Sequence, residues 1–113
     1  MSADLIMDVQ ALIAKLNTSI KMLRKTGTEY AEAERDYKIL LSQESLRLKD
    51  GGMAVTLIDK VVYGRKNVAE ARFRRDVAET TYKANLESIN VLKLQIKILD
   101  NQIGREWGTP QAS

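Results

Sequence analysis

Asp50-Gly51-Gly52-Met53-Ala54-Val55-Thr56-Leu57-Ile58-Asp59-Lys60-Val61-Val62-Tyr63-Gly64 decides how this chain folds, because it interrupts two long periodic segments. Asp50-Gly51-Gly52 ends the first of them. Lys49 suits the last turn of a helix, and a glycine just beyond it can take the left-handed conformation that closes helices. Thr56 stands where it can cap a helix of two turns, with Leu57, Ile58, Val61 and Val62 on one side and Gly64 as its stop. The β-branched residues also permit a short strand, but the chain offers no second strand to pair with it, so a short helix is expected.

Upstream, three rows at seven-residue spacing organise the segment from about residue 3 to 49. Val9, Leu16, Leu23, Tyr30 and Tyr37 form one, and Leu5, Leu12, Ser19, Thr26, Ala33 and Leu40 form the second. The two alternate at 4-3 spacing, the seam of a coiled coil. A third row, Ile6, Ile13, Ile20, Gly27, Glu34, Leu41 and Leu48, is expected to widen that seam. Thr26-Gly27-Thr28 is the expected kink, since Gly costs roughly 1 kcal/mol against Ala inside a helix. A continuous helix of this length extends about 70 Å at 1.5 Å per residue.

Downstream, Asn67 is the expected N-cap of a second long helix, with Glu70 at capping-box spacing. Its seam is Val68, Ala71, Ala78, Tyr82, Asn85, Ile89, Leu92, Ile96, Leu99 and Ile103, broken at Arg75 and Asn85. Ile89, Val91, Leu94, Ile96 and Ile98 nearly alternate as a strand does, but Leu92 and Leu99 keep the helical phase. Gly104 and Gly108-Thr109-Pro110 are the expected stops. The fold class is therefore all-α. Two long antiparallel helices form a helical hairpin, and a short helix lies in the connector. The expectation is one domain over residues 1–113, with helices at about 3–49 and 67–107, a connector at 50–66 and a flexible tail at 108–113.

The composition excludes much chemistry. The 113 residues contain no Cys and no His, which removes disulfides, thiolate or imidazole metal sites and the commonest nucleophile and general base. No P-loop, nucleophile elbow or dinucleotide-binding motif is present, so an enzyme is not expected, and neither is a cofactor. Glu29, Glu32, Glu34 and Asp36 cluster without the His of a di-metal bundle and read as a solvated face paired with Arg35 and Lys38. No segment has the unbroken apolar run of a membrane span or secretory signal, and the expected location is a cytoplasm.

The second long helix carries more apolar surface than one partner helix can cover. Beside its seam lie Phe73, Val77, Ala84, Val91, Leu94 and Ile98. A helix apolar on opposite sides must be buried on both, so the chain is expected to associate with its own copies in an oligomeric bundle. The alternative is that the N-terminal segment folds back at Thr26-Gly27-Thr28 and covers that second face. Asn85, at a seam position, is either a register-setting interface residue or a solvated edge residue.

The net charge of +3 is concentrated. Residues 1–43 and 77–113 are each balanced, whereas 44–76 hold eight cations and five carboxylates. Lys60, Arg65, Lys66, Arg72, Arg74 and Arg75 have only Glu70 among them. These residues and Tyr63 form a candidate anion site beside a helix N-terminus: Arg grips phosphate with paired hydrogen bonds, and Tyr63 can stack on a base. The competing reading is a solvated basic face neutralised by Asp59, Glu70, Asp76 and Glu79.

The stretches Gly52–Gly64, Arg72-Phe73-Arg74-Arg75-Asp76-Val77-Ala78-Glu79 and Ile98–Trp107 resemble small helical-hairpin proteins of tailed phages and prophages of Gram-positive bacteria. That resemblance implies a non-catalytic protein of the host cytoplasm that acts by stoichiometric binding. Its expected target is a host defence or replication factor, and the basic patch at the turn adds an anionic nucleotide as a ligand to inhibit or sequester. Alternatives are a nucleic-acid-binding accessory protein of phage replication or recombination, and a coiled-coil virion component.

Overall fold

In the computed structural model the backbone is described for residues 2–112 and the side chains for residues 3–107. Helix α1 is Ser2–Asp50, α2 is Val55–Val61, a 3₁₀ turn follows at Val62–Gly64, and α3 is Lys66–Ala112. No strand occurs among the described residues. The two long helices pack against each other as a helical hairpin. The chain divides into two compact units, a terminal unit of Met1–Arg24 with Lys83–Ser113 and a turn unit of Lys25–Tyr82.

In the turn unit the end of α1 follows from its glycines. Gly52 has φ 92°, in the left-handed region that a side chain disfavours. The amide of Met53 donates to the Leu48 carbonyl and that of Gly52 to the Lys49 carbonyl, each at 3.0 Å. This pair of bonds is the Schellman closure, and Met53 packs on the cluster that contains Leu48, its usual apolar companion. The closure turns the chain so that α2 lies on the hairpin. Tyr37, Leu48, Ile58, Val62, Val68 and Ala71 form the resulting core, with Val62 at 2% and Val68 at 0% exposure.

Two connector details differ from expectation. Thr56 does not cap α2, because the helix starts at Val55 with Ala54 as N-cap and no side-chain cap bond. Leu57 points outward, leaving Ile58 and Val62 buried and Val61 half-buried against the same cluster. At the start of α3 the cap is Arg65, not Asn67. Arg65 is extended (φ −64°, ψ 136°), and its carbonyl accepts the first helical bond from the Ala69 amide at 2.8 Å. Asn67 is instead inside the first turn, where its amide reaches Glu44 on α1.

The terminal unit is a simpler antiparallel pair. Leu5, Val9, Leu12, Leu16 and Leu23 of α1 are half-buried, as are Leu92, Ile96, Leu99 and Ile103 of α3, while Ile89 is buried. Asn85 donates its side-chain amide to the Ser19 carbonyl at 3.0 Å.

Helix α1 passes through Thr26-Gly27-Thr28 as uninterrupted helix, so the chain does not fold back there. Thr26 is buried, and Gly27 faces an aromatic ring: a Cβ at Gly27 would lie 3.3 Å from Cε1 of Tyr82. The glycine admits the ring.

The third row of α1 behaves differently along its length. Ile6, Ile13 and Ile20 are exposed, whereas Leu41 is half-buried and Leu48 is buried. A straight α-helix drifts about 20° per heptad against a seven-residue repeat, so such a row turns inward only toward one end. Near the turn the spacing of the inward positions becomes 4-4, through Leu40, Glu44 and Leu48.

Gly104 does not stop α3. The bounds of α3 carry past the expected stop at Gly108-Thr109-Pro110. The flexible tail expected for residues 108–113 falls on residues whose side chains lie outside those described.

Candidate anion-binding surface at the helical turn

The surface rests on two polar cross-links within the turn unit. The first joins α1 to the start of α3. Glu44 is 5% exposed, its carboxylate accepts from the Asn67 side-chain amide at 3.2 Å, and Arg47 approaches it at 3.4 Å. A carboxylate beside the first turn of a helix is also favoured by the partial positive charge there. The second cross-link fills the break in the α3 seam. Arg75 donates to Asp76 at 2.8 Å and to Glu34 at 3.1 Å, and its guanidinium lies 4.7 Å from the centre of the Tyr37 ring. The hydrogen bond to Asp76 raises the Arg75 pKa most; burial opposes it, and Glu34 adds to it. An arginine is charged across the whole neutral range, so the stability these bonds give does not vary with pH there.

Arg75 is therefore part of the fold: four-fifths of its side chain is covered, and two carboxylates hold it. Arg74 also stands apart, beside a depression it shares with Glu29, Glu32 and Asp36. The remaining predicted residues, Lys60, Tyr63, Arg65, Lys66 and Arg72, are exposed. Arg72 lies over the Tyr63 ring, 5.8 Å from its centre, which fixes a cation against an aromatic face.

The expected neutralising partners are engaged elsewhere in part. Asp76 serves Arg75, and Glu79 accepts from the Tyr30 hydroxyl at 3.3 Å. Among the described residues no ion pair involves Lys60, Arg65, Lys66, Arg72 or Arg74. The acidic cluster of α1 is paired as a solvated face in part, through Lys25–Glu29 and Arg35–Asp36, while Glu34 turns to Arg75. No group among the described residues could hold a metal ion. No helix is long and apolar enough to cross a membrane among the described residues.

The residues assigned to self-association fall into both units. In the turn unit Phe73 and Val77 are exposed, and in the terminal unit Ala84, Val91, Leu94 and Ile98 are exposed. Asn85 does not join them: it is buried and bonded to α1 of its own chain. Ile6, Ile13 and Ile20 add apolar surface to the terminal unit that the periodicity placed inside.

Sequence reasoning missed a groove beside the turn, of about 530 Å³, between the last turns of α1 and the connector. Leu46 and Val55 stand on its walls at 59% and 64% exposure. The available signal was that Leu46 belongs to none of the three α1 rows. No protein-family model, curated protein or solved structure matches the chain.

Proposed function

We propose that this is a non-catalytic binding protein that takes an anionic partner at the turn and associates with its own copies through the apolar outer positions of its helices. The observation that carries the first half is the set of exposed cations Lys60, Arg65, Lys66 and Arg72, in no ion pair among the described residues, the last seated over Tyr63. None of these side chains lies within ion-pair distance of a carboxylate among the described residues. The second half is supported by Val91, Leu94 and Ile98, between 44% and 57% exposed on α3. Isolated apolar residues on a surface need no explanation, but three within two turns of one helix amount to a patch.

In this reading the protein acts by occupancy. The resemblance to phage proteins points to a host factor met in the host cytoplasm, and the exposed cations point to a nucleotide. The test is binding of cyclic and ADP-ribose-type nucleotides, and of a DNA duplex, at about 50 mM salt, repeated at about 200 mM. Binding that weakens with salt and disappears in a Lys60→Glu/Arg65→Glu/Lys66→Glu variant of unchanged helicity is expected. Absence of binding by every anion at low salt refutes the anion site. Light scattering tests the second half: a clean monomer at micromolar concentration refutes self-association, and Leu94→Asp should dissociate an oligomer.

A further inference from the structure

The groove beside the turn has an apolar interior, one cation and one carboxylate in its lining, Lys49 and Asp59, and further exposed cations in the same segment of chain. Its floor is Ile58 and Val62, both buried, and its walls are the exposed Leu46 and Val55. Ser42 and Ser45 also line it on the α1 side. Lys49 and Asp59 are its charged lining residues, and Tyr63, with Arg72 over its ring, also lines it. From Lys49 to Lys66 the chain carries four cations and two carboxylates, and none of those cations is in an ion pair among the described residues.

Three occupants can be compared on these facts. A second copy docking the same end would bring like charges together, which opposes association. A nucleotide satisfies the cations but leaves the walls at Leu46 and Val55 bare. An extended peptide would find only side chains there, with no strand edge to take its backbone hydrogen bonds. A helix satisfies its own backbone and can present apolar residues at i, i+4 and i+7 to such a groove.

We propose that the groove binds an acidic amphipathic helix of a partner protein, with its apolar side chains between Leu46 and Val55 and its carboxylates on Lys49, in the lining, and on the exposed Lys60 and Arg65 outside it. This rests on the reading of the turn as an anion-binding surface and assigns that surface a protein ligand.

The test uses fluorescence anisotropy with the full chain and two labelled peptides of about 15 residues, a length at which helix can begin to form. One has Leu at i, i+4, i+7 and i+11 on a Glu-rich background, and the other has Ser in place of Leu. Inorganic polyphosphate serves as a probe of the cations alone. The Leu peptide should bind at least about tenfold more tightly than the Ser peptide, a difference well resolved by this method. Leu46→Ser/Val55→Ser should remove that difference while polyphosphate binding stays unchanged, since both positions are exposed and the fold does not depend on them. Arg65→Glu should weaken both ligands. Equal binding of the two peptides, binding of neither, or a Leu peptide indifferent to Leu46→Ser/Val55→Ser overturns the proposal. Retained polyphosphate binding in those cases leaves the cationic surface standing, and its loss removes both.

Discussion

The turn unit and the terminal unit are made of the same two helices and carry the same 4-3 stripe, yet they bury it to different depths. Six apolar residues of the turn unit form one closed cluster, two of them almost wholly inaccessible. In the terminal unit Ile89 is the single apolar residue buried to that degree among those described, and its neighbours in the stripe stay half-exposed. The physical difference is a third element. α2 and the 3₁₀ turn lie on the helix pair in the turn unit and close its core, whereas two helices alone touch along one line and leave both flanks wet. A helix pair thus needs a third layer to make an interior. For the terminal unit we propose that another copy of the chain supplies it, at Val91, Leu94 and Ile98.

Placing the same substitution in both units gives the largest contrast. Val68→Asp puts a carboxylate where no solvent reaches, and an unpaired buried charge should cost at least about 4 kcal/mol. Urea denaturation followed by circular dichroism should show a turn unit that no longer folds. Ile98→Asp, on a residue 54% exposed, should leave the stability of a single chain within about 0.5 kcal/mol and change only the mass seen by light scattering. Similar losses in the two variants would mean that the terminal unit is closed after all.

The next contrast concerns the polar residues that break each seam. Arg75→Ala strands Glu34 beside Tyr37 and should cost about 1–3 kcal/mol, measured by the shift in the denaturation midpoint. Asn85→Leu should act in the opposite direction and stabilise by about 1 kcal/mol. The Ser19 carbonyl that accepts from Asn85 lies inside α1, where a helical bond remains available to it, and a leucine adds apolar area to the least buried part of the seam. A destabilised Asn85→Leu would show that this bond fixes the pairing of the terminal unit.

These residues also mark how far the sequence could be read. Both seams, the glycine closure after Lys49 and the helical hairpin follow from local periodicity and turn chemistry, which act over a few residues. The partners of the seam breaks were out of reach. Arg75 and Asn85 are visible as interruptions, but Glu34 lies 41 residues away and Ser19 lies 66 away, and one sequence holds no signal that joins them. The same limit hid part of the start of α3: Asn67 has the right chemistry for a cap, but the helix already begins at Lys66, and while its side-chain oxygen accepts from the Val68 amide, its side-chain amide reaches Glu44, 23 residues earlier. Ile6, Ile13 and Ile20 were misplaced for a different reason. They differ from Leu41 and Leu48 in position along a slowly rotating stripe, which spacing alone does not resolve. For the candidate site, the cations at the turn were legible as a charge imbalance. Excluding Arg74 and Arg75 from them required knowing what each side chain faces.

Gly27 offers the smallest effect and the finest test. It packs on Tyr82, whose ring lies 5.8 Å from that of Tyr30 at an interplanar angle of 33°. Replacing a helical glycine by alanine ordinarily gains about 1 kcal/mol. Here the new Cβ would sit 3.3 Å from a ring carbon, tighter than ordinary van der Waals contact, and the ring must move against Tyr30 to accept it. Gly27→Ala alone should therefore change stability by less than about 0.5 kcal/mol. In a Tyr82→Leu background the obstruction is gone, and the same substitution should recover about 1 kcal/mol. The double-mutant cycle reads the difference directly, since the two residues are in contact. A full gain in the parent protein would mean that Gly27 serves no packing purpose and that the helix merely tolerates it, the behaviour expected of a kink position.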